Sequence, residues 1–199
     1  DAVRSEYNSR PPGPVRDAFA AIAARHPKID VLINNAALSL PFLVAEGSDE
    51  QIAQIIGTNL IGPVLCVRSA LPMLGRGGHI INVSSESVTV KLPHLTVYQA
   101  SKAGLERFSE GLGQELERSG IKVTVVRAGA MFEEGKTWDV DPEARLRFAQ
   151  AAMSVGINLR EKALSHYQSI TCVFRSVIDL PDDVCVGTVT LQARHAGTA

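Results

Sequence analysis

The chain has 199 residues, with 20 Lys and Arg against 21 Asp and Glu, a formal net charge of −1 and 45% apolar residues. This balance is that of an ordinary globular chain, and without a basic block it argues against a nucleic-acid or anionic-membrane binder. No uninterrupted apolar run reaches about 18 residues, so no membrane-crossing helix is expected.

In chain order, Val15, Ala18, Phe19 and Ile22 repeat at helical spacing, and the pattern stops before Pro27. Val31-Leu32-Ile33 is a short apolar run ending in Asn34-Asn35, and reads as a buried strand. Ser48 and Gln51 form a capping box that opens a helix through Ile52, Ile55, Ile56 and Leu60. Ile80-Ile81-Asn82-Val83 is a second strand, after Gly77-Gly78-His79. A long helix is expected from Val97 to Ser119, with Gly120 as its stop. Val123-Thr124-Val125-Val126 is a third strand, ending at Arg127-Ala128-Gly129. Asp141-Pro142-Glu143 starts another helix: a cap, a proline at the first position and an acid in the first turn. A last helix is expected from about Glu161 to Ile178, and a last strand at Val184-Cys185-Val186 leading into Val189-Thr190-Leu191. Strands and helices alternating at this rhythm predict an α/β fold, a parallel sheet with helices on both faces. Residues 130–160 are the one long polar interruption. Cys66, Cys172 and Cys185 are too sparse for a disulfide framework and fit a reducing, cytoplasmic setting. The five histidines never fall at metal-ligand spacing, so no metal site is expected.

Tyr98 and Lys102 stand at i and i+4, on one face of the long helix. A tyrosine of ordinary pKa is a poor acid or base at neutral pH, and a nearby lysine cation stabilises its phenolate. Tyr98 could then exchange a proton with a carbonyl or an alcohol. Alone the pair is weak, since a chain of this length holds one by chance about a third of the time, and an exposed helix pair explains it equally. Ser85 ends the second strand 13 residues before Tyr98. Carboxyl ends of strands are where open α/β sheets bind ligands, and a hydroxyl there can donate to a reacting oxygen; it can also simply cap a turn. Asn34-Asn35-Ala36-Ala37 ends the first strand at the same edge, where small residues let a ligand approach the backbone. Asn59 lies inside a helix, which it disfavours, and invites a reason there or a kink before Gly62-Pro63.

These motifs, in this order and spacing, resemble the short-chain dehydrogenase/reductase family, from residue 1 to about 130 and more loosely to the end. The resemblance implies a Rossmann-like doubly wound parallel sheet over 1–199, covering roughly the fourth strand onward. It implies an oxidoreductase moving hydride between NAD or NADP and a small carbonyl or secondary alcohol. Tyr98 would be the general acid/base. Lys102 would lower its pKa and bind the nicotinamide ribose, Ser85 would polarise the substrate carbonyl, and Asn59 would hold a water in a proton relay. Asp1, Asn35, Ala36, Gly129 and Met131 would line the cofactor, with Asp1 at the adenine and Tyr98 and Lys102 touching it too. Homodimers or homotetramers would form through helices at about 49–70 and 97–119, burying Leu65, Leu105, Phe108 and Leu112. The family's substrate loop corresponds to 130–160, holding Phe132, Trp138, Phe148 and Met153.

Departures accompany the likeness. No G-x-x-x-G-x-G occurs. The given sequence is therefore expected to omit an N-terminal segment of about 50 to 60 residues, at ~30 per βαβ unit. Ala37 stands for a glycine, Ala128-Gly129 for Pro-Gly, and Glu133 for a threonine that reaches the cofactor. Ser84 is an alternative to Ser85, though the spacing favours Ser85. A second reading is a truncated, non-catalytic relative acting as a binding or assembly protein. An isomerase or dehydratase with a longer substrate domain has no room here.

Overall fold

A computed structural model of the chain describes residues 13–135 and 137–194; Asp1 lies outside the described residues. Four parallel strands, β1 (Ile29–Asn34), β2 (Leu74–Ser85), β3 (Lys122–Ala128) and β6 (Thr188–Thr190), make a sheet in the order β1-β2-β3-β6. A small parallel pair, β4 (Met131–Phe132) and β5 (Ser165–His166), stands apart. The helices are α1 (Gly13–Ala23), α2 (Asp49–Ile56), α3 (Gly62–Ala70), α4 (Thr96–Leu116), α5 (Pro142–Ser154) and α6 (Tyr167–Ile178).

β2 and β3 are near-continuous apolar runs because both of their faces are covered, whereas β1, read as a buried strand, is only half-covered, with Ile33 43% exposed. Ile80 packs on one side with Val67, Ala70, Leu112, Ile121 and Val123, and Phe19 of α1 joins them. Its neighbour Ile81 points to the other side, against Val126, Val177 and Phe174. Each such buried side chain contributes about 1.5 to 3 kcal/mol. The capping box closes as expected: Gln51 N donates to Ser48 Oγ at 3.2 Å and Ser48 N to Gln51 Oε1 at 3.0 Å. Gly120 stops the long helix at φ 67°, and Asp141 caps α5 by accepting from Ala144 N at 2.8 Å.

Four further expectations change. Helix α6 begins at Tyr167 rather than near Glu161, because Ser165 and His166 pair with β4. Residues 184–186 are not laddered; they run beside β3 through Thr124 Oγ1 donating to the Val186 carbonyl at 2.7 Å, and strand pairing starts only at Thr188. The stretch Asp49–Met73 is helical for 25 residues, long and apolar enough to cross a membrane by length and composition. Counting uninterrupted apolar runs hides it, since Gln, Thr and Asn interrupt the run without adding charge. In the fold its Ile55, Val67 and Ala70 are buried. Finally, Leu105 and Leu112 are 1% and 5% exposed, and Phe108 packs on the same core. Leu105 and Leu112 are thus buried within this chain, while Leu65 and Phe108 stay half-buried.

Candidate active site

The carboxyl edge of the sheet gathers most of the candidate residues. Strand β2 ends at Ser85, whose Oγ accepts from Ser87 N at 3.1 Å, so it does cap a turn. The same hydroxyl stands near the phenol of Tyr98, in the first turn of α4, and favours its ionised form. Burial pushes the Tyr98 phenol up, and the Ser85 hydroxyl only partly opposes it. This differs from the expected lowering by Lys102. The lysine is itself buried, 2% exposed, which brings its ammonium down to about 8. Its Nζ donates to the Val83 carbonyl at 2.8 Å, one of three donors that an ammonium carries.

Asn59 sits in a wide turn of π-helix, Gly57–Ile61, between α2 and α3. Pro63 has no N–H to return to the Asn59 carbonyl, which favours such a bulge. The side chain is completely buried and fully used. Its Oδ1 accepts from Leu38 N at 2.8 Å, and its Nδ2 donates to the Leu38 carbonyl at 2.8 Å and to Ser101 Oγ at 3.0 Å. Asn59 therefore ties the loop after β1 to the helix that carries Tyr98 and Lys102. Any role for it in a water relay falls to its backbone.

At the end of β1, Asn34 is structural: its Nδ2 donates to Asn82 Oδ1 at 2.8 Å, and Asn82 Nδ2 to Ser109 Oγ at 2.8 Å. Asn35 and Ala36 follow it, exposed at the edge. Gly129 follows β3, and a Cβ there would stand 2.5 Å from the Leu191 carbonyl oxygen. Its missing side chain is already used by the passing C-terminal segment. Met131 belongs to β4, 43% exposed.

The polar interruption folds over this edge. Trp138 Nε1 donates to the Ser39 carbonyl at 2.9 Å, and its ring meets Phe148 edge-on at 5.7 Å. Arg147 pairs with Glu46 at 3.2 Å, and Lys162 with Glu86. Phe148, Ala152, Ile157 and Leu159 pack with Leu92 and Leu95 around the Tyr98 ring.

Sequence reasoning missed two supports. Gln99 holds the loop after Ser85 by donating to the carbonyls of Ser87 and Val90. Glu106 and Arg127 form a forked pair, with Nε to Oε1 at 2.8 Å and Nη2 to Oε2 at 2.6 Å. The signal for that pair was an arginine at the end of an otherwise apolar strand. The edge suits a nicotinamide dinucleotide in part. Two ammonium donors of Lys102 remain for ribose hydroxyls, and Asn35 and Ala36 leave the end of β1 open to a ligand.

These features place the candidate residues at the carboxyl edge of a Rossmann-like sheet. A family model described as short chain dehydrogenase matches residues 2–137, and the chain belongs to that family. A dehydrogenase/reductase (SDR family member 7B) of Bos taurus is 33% identical over 120 residues, 59% of this chain and 37% of the relative. A 3-ketodihydrosphingosine reductase of Bacteroides thetaiotaomicron is 34% identical over 117 residues, 58% of this chain and 44% of the relative. The chain thus spans less than half of either relative's length. Among solved structures, a short-chain dehydrogenase from Streptomyces avermitilis superposes with TM-score 0.77 at 21% identity, covering 94% of this chain and 69% of that one. One from Burkholderia cenocepacia, in complex with NADP, gives 0.75 at 22% identity, covering 94% and 74%. Both show the same fold.

Proposed function

We propose that the protein is an NAD(P)-dependent reductase of a carbonyl carried on an apolar substrate. The observation that carries this reading is the placing of Ser85 near the Tyr98 phenol at the carboxyl edge of the sheet, with Lys102 one turn behind it. A nicotinamide cofactor bound at this edge supplies the hydride. Ser85 donates a hydrogen bond to the substrate carbonyl oxygen and polarises it. Tyr98 Oη gives its proton to the same oxygen as charge develops there. Burial keeps the phenol protonated, so the proton that passes to the oxygen starts on Tyr98. Lys102 holds the ribose hydroxyls and keeps positive charge beside the phenol. Asn59 fixes the helix that presents both. Asn35, Ala36 and Gly129 line the cofactor edge, with Met131 beyond them.

Tyr98 packs against an apolar cluster of Leu92, Leu95, Phe148, Ile157 and Leu159, and an apolar substrate would meet it there. The names of two relatives, a 3-ketodihydrosphingosine reductase and a ketoacyl reductase of Nostoc, support a keto group on an aliphatic chain.

The test is consumption of NADH or NADPH by the full-length protein with aliphatic ketones of increasing chain length. Turnover is expected to improve with length. Tyr98→Phe is expected to lose at least ~100-fold in kcat with cofactor binding kept. Undiminished turnover in that variant overturns the assignment.

A further inference from the structure

Tyr98, Lys102 and Glu106 follow one another at four-residue steps and so form one row along α4. Each faces the end of β2. Tyr98 meets the Ser85 hydroxyl, Lys102 the Val83 carbonyl at 2.8 Å, and Glu106 the Ser84 hydroxyl, which donates to Oε1 at 2.7 Å. The third contact lies away from the reacting groups, yet it is the most heavily tied. Arg127 is the register partner of Ser84 on the neighbouring strand, and its guanidinium grips both carboxylate oxygens. One carboxylate thus joins α4, which bears Tyr98 and Lys102, β2, which bears Ser85, and β3, which leads into Gly129.

A buried ion pair is a poor way to gain stability, because dehydrating both charges offsets their attraction. The Glu106 and Arg127 side chains are only 11% and 28% exposed. What a forked pair gives is direction, since two parallel bonds allow one relative orientation.

We propose that Glu106 is a positioning residue: through Ser84 and Arg127 its carboxylate fixes the end of β2 against α4, and so sets the Ser85–Tyr98 contact. The proposal rests on the reductase reading above, and it has a readout that does not need turnover. In the full-length protein, Glu106→Gln keeps the shape and loses the fork. Its kcat is expected to fall about 10- to 100-fold, the scale of an ångström-sized misplacement, with the cofactor KM within about two-fold. Arg127→Met is expected to behave alike, and the double variant to be no worse than either single one. Arg127→Lys, which keeps the charge without the fork, should fall between, and replaces Glu106→Gln if that variant does not fold. Independently, the Tyr98 phenol is titrated by ultraviolet difference against the matching Tyr98→Phe protein. Loss of the Ser85 contact is expected to move its midpoint upward. A variant with a lower melting temperature, but with kcat and the Tyr98 midpoint unchanged, overturns the proposal. If the parent protein consumes neither NADH nor NADPH, the reductase reading has failed separately. The Tyr98 midpoint then decides alone, and an unmoved midpoint overturns the positioning role.

Discussion

Burial brings the Lys102 ammonium to about 8, so at pH 7 the folded state still carries a cation stripped of most of its water. Between about pH 8 and its ordinary value near 10.5, the unfolded chain binds the extra proton more than the folded one does. Stability from this residue therefore rises with pH across that window. Lys102→Met is expected to stabilise the protein by about 1 to 2 kcal/mol at pH 7, less whatever the Val83 carbonyl loses, while removing activity. Denaturant unfolding at pH 7 and 10 checks it, since the advantage should shrink at the higher pH. His79 carries the opposite kind of liability. Thr124 Oγ1 donates to the Val186 carbonyl, so the 2.8 Å contact from His79 requires the proton on Nε2. Its Nδ1 is buried without a partner among the described residues. Burial, then the charge of Lys122, lowers the ring to about 4. Stability is then lost as pH falls from about 6.5 toward 4, where the unfolded chain takes the proton first. The loss should amount to about 1 to 2 kcal/mol after solvent screening, and His79→Asn should not show it when urea midpoints at pH 7 and 4.5 are compared.

Elements with strong local signals were legible in the sequence: the capping box, the Gly120 stop, the Asp141-Pro142 start and the strands β1, β2 and β3. What was not legible depends on distant partners. Nothing near residue 161 announces that Ser165 and His166 pair with β4, delaying α6. Nothing at Val184 tells that the chain approaches β3 before it ladders. The motif residues were legible as a set, but their local duties were not. Asn59 could be read as an anomaly in a helix, whereas its amide turns out to be spent on Leu38 and Ser101. Asn59→Leu leaves the Leu38 N–H and carbonyl without that partner, at a cost of about 2 to 4 kcal/mol. Thermal unfolding should show the loss, with activity falling as the α4 row shifts. Gly129 likewise serves packing as well as access. Gly129→Ala forces a Cβ onto the Leu191 carbonyl, and a destabilisation of about 1 to 3 kcal/mol is expected by the same measurement. Gly104→Ala, facing only the end of the Leu60 side chain at 3.2 Å, should be milder.

Across the whole molecule, three loops at the carboxyl edge hold one another. Phe42 N donates to the His94 carbonyl at 2.9 Å, Lys162 reaches Glu86, and Trp138 spans to Ser39. The segment 137–166 thus closes over Tyr98 through a few surface bonds and an apolar cluster, not through a rigid sheet. Exposed pairs such as Arg147–Glu46 contribute little, about 0 to 1 kcal/mol, so closure depends on Phe148, Ile157 and Leu159. Phe148→Ala is expected to raise the substrate KM more than it lowers kcat, and steady-state kinetics on the long-chain ketone checks that. Trp138 is the only tryptophan in the sequence. Its indole is pinned at one end to the loop after β1 and meets Phe148 edge-on, so its emission reports on this one contact. Mixing with reduced nicotinamide, whose absorption overlaps indole emission, should quench it by energy transfer as the segment settles. Opening and closing can then be timed in solution without attaching any dye.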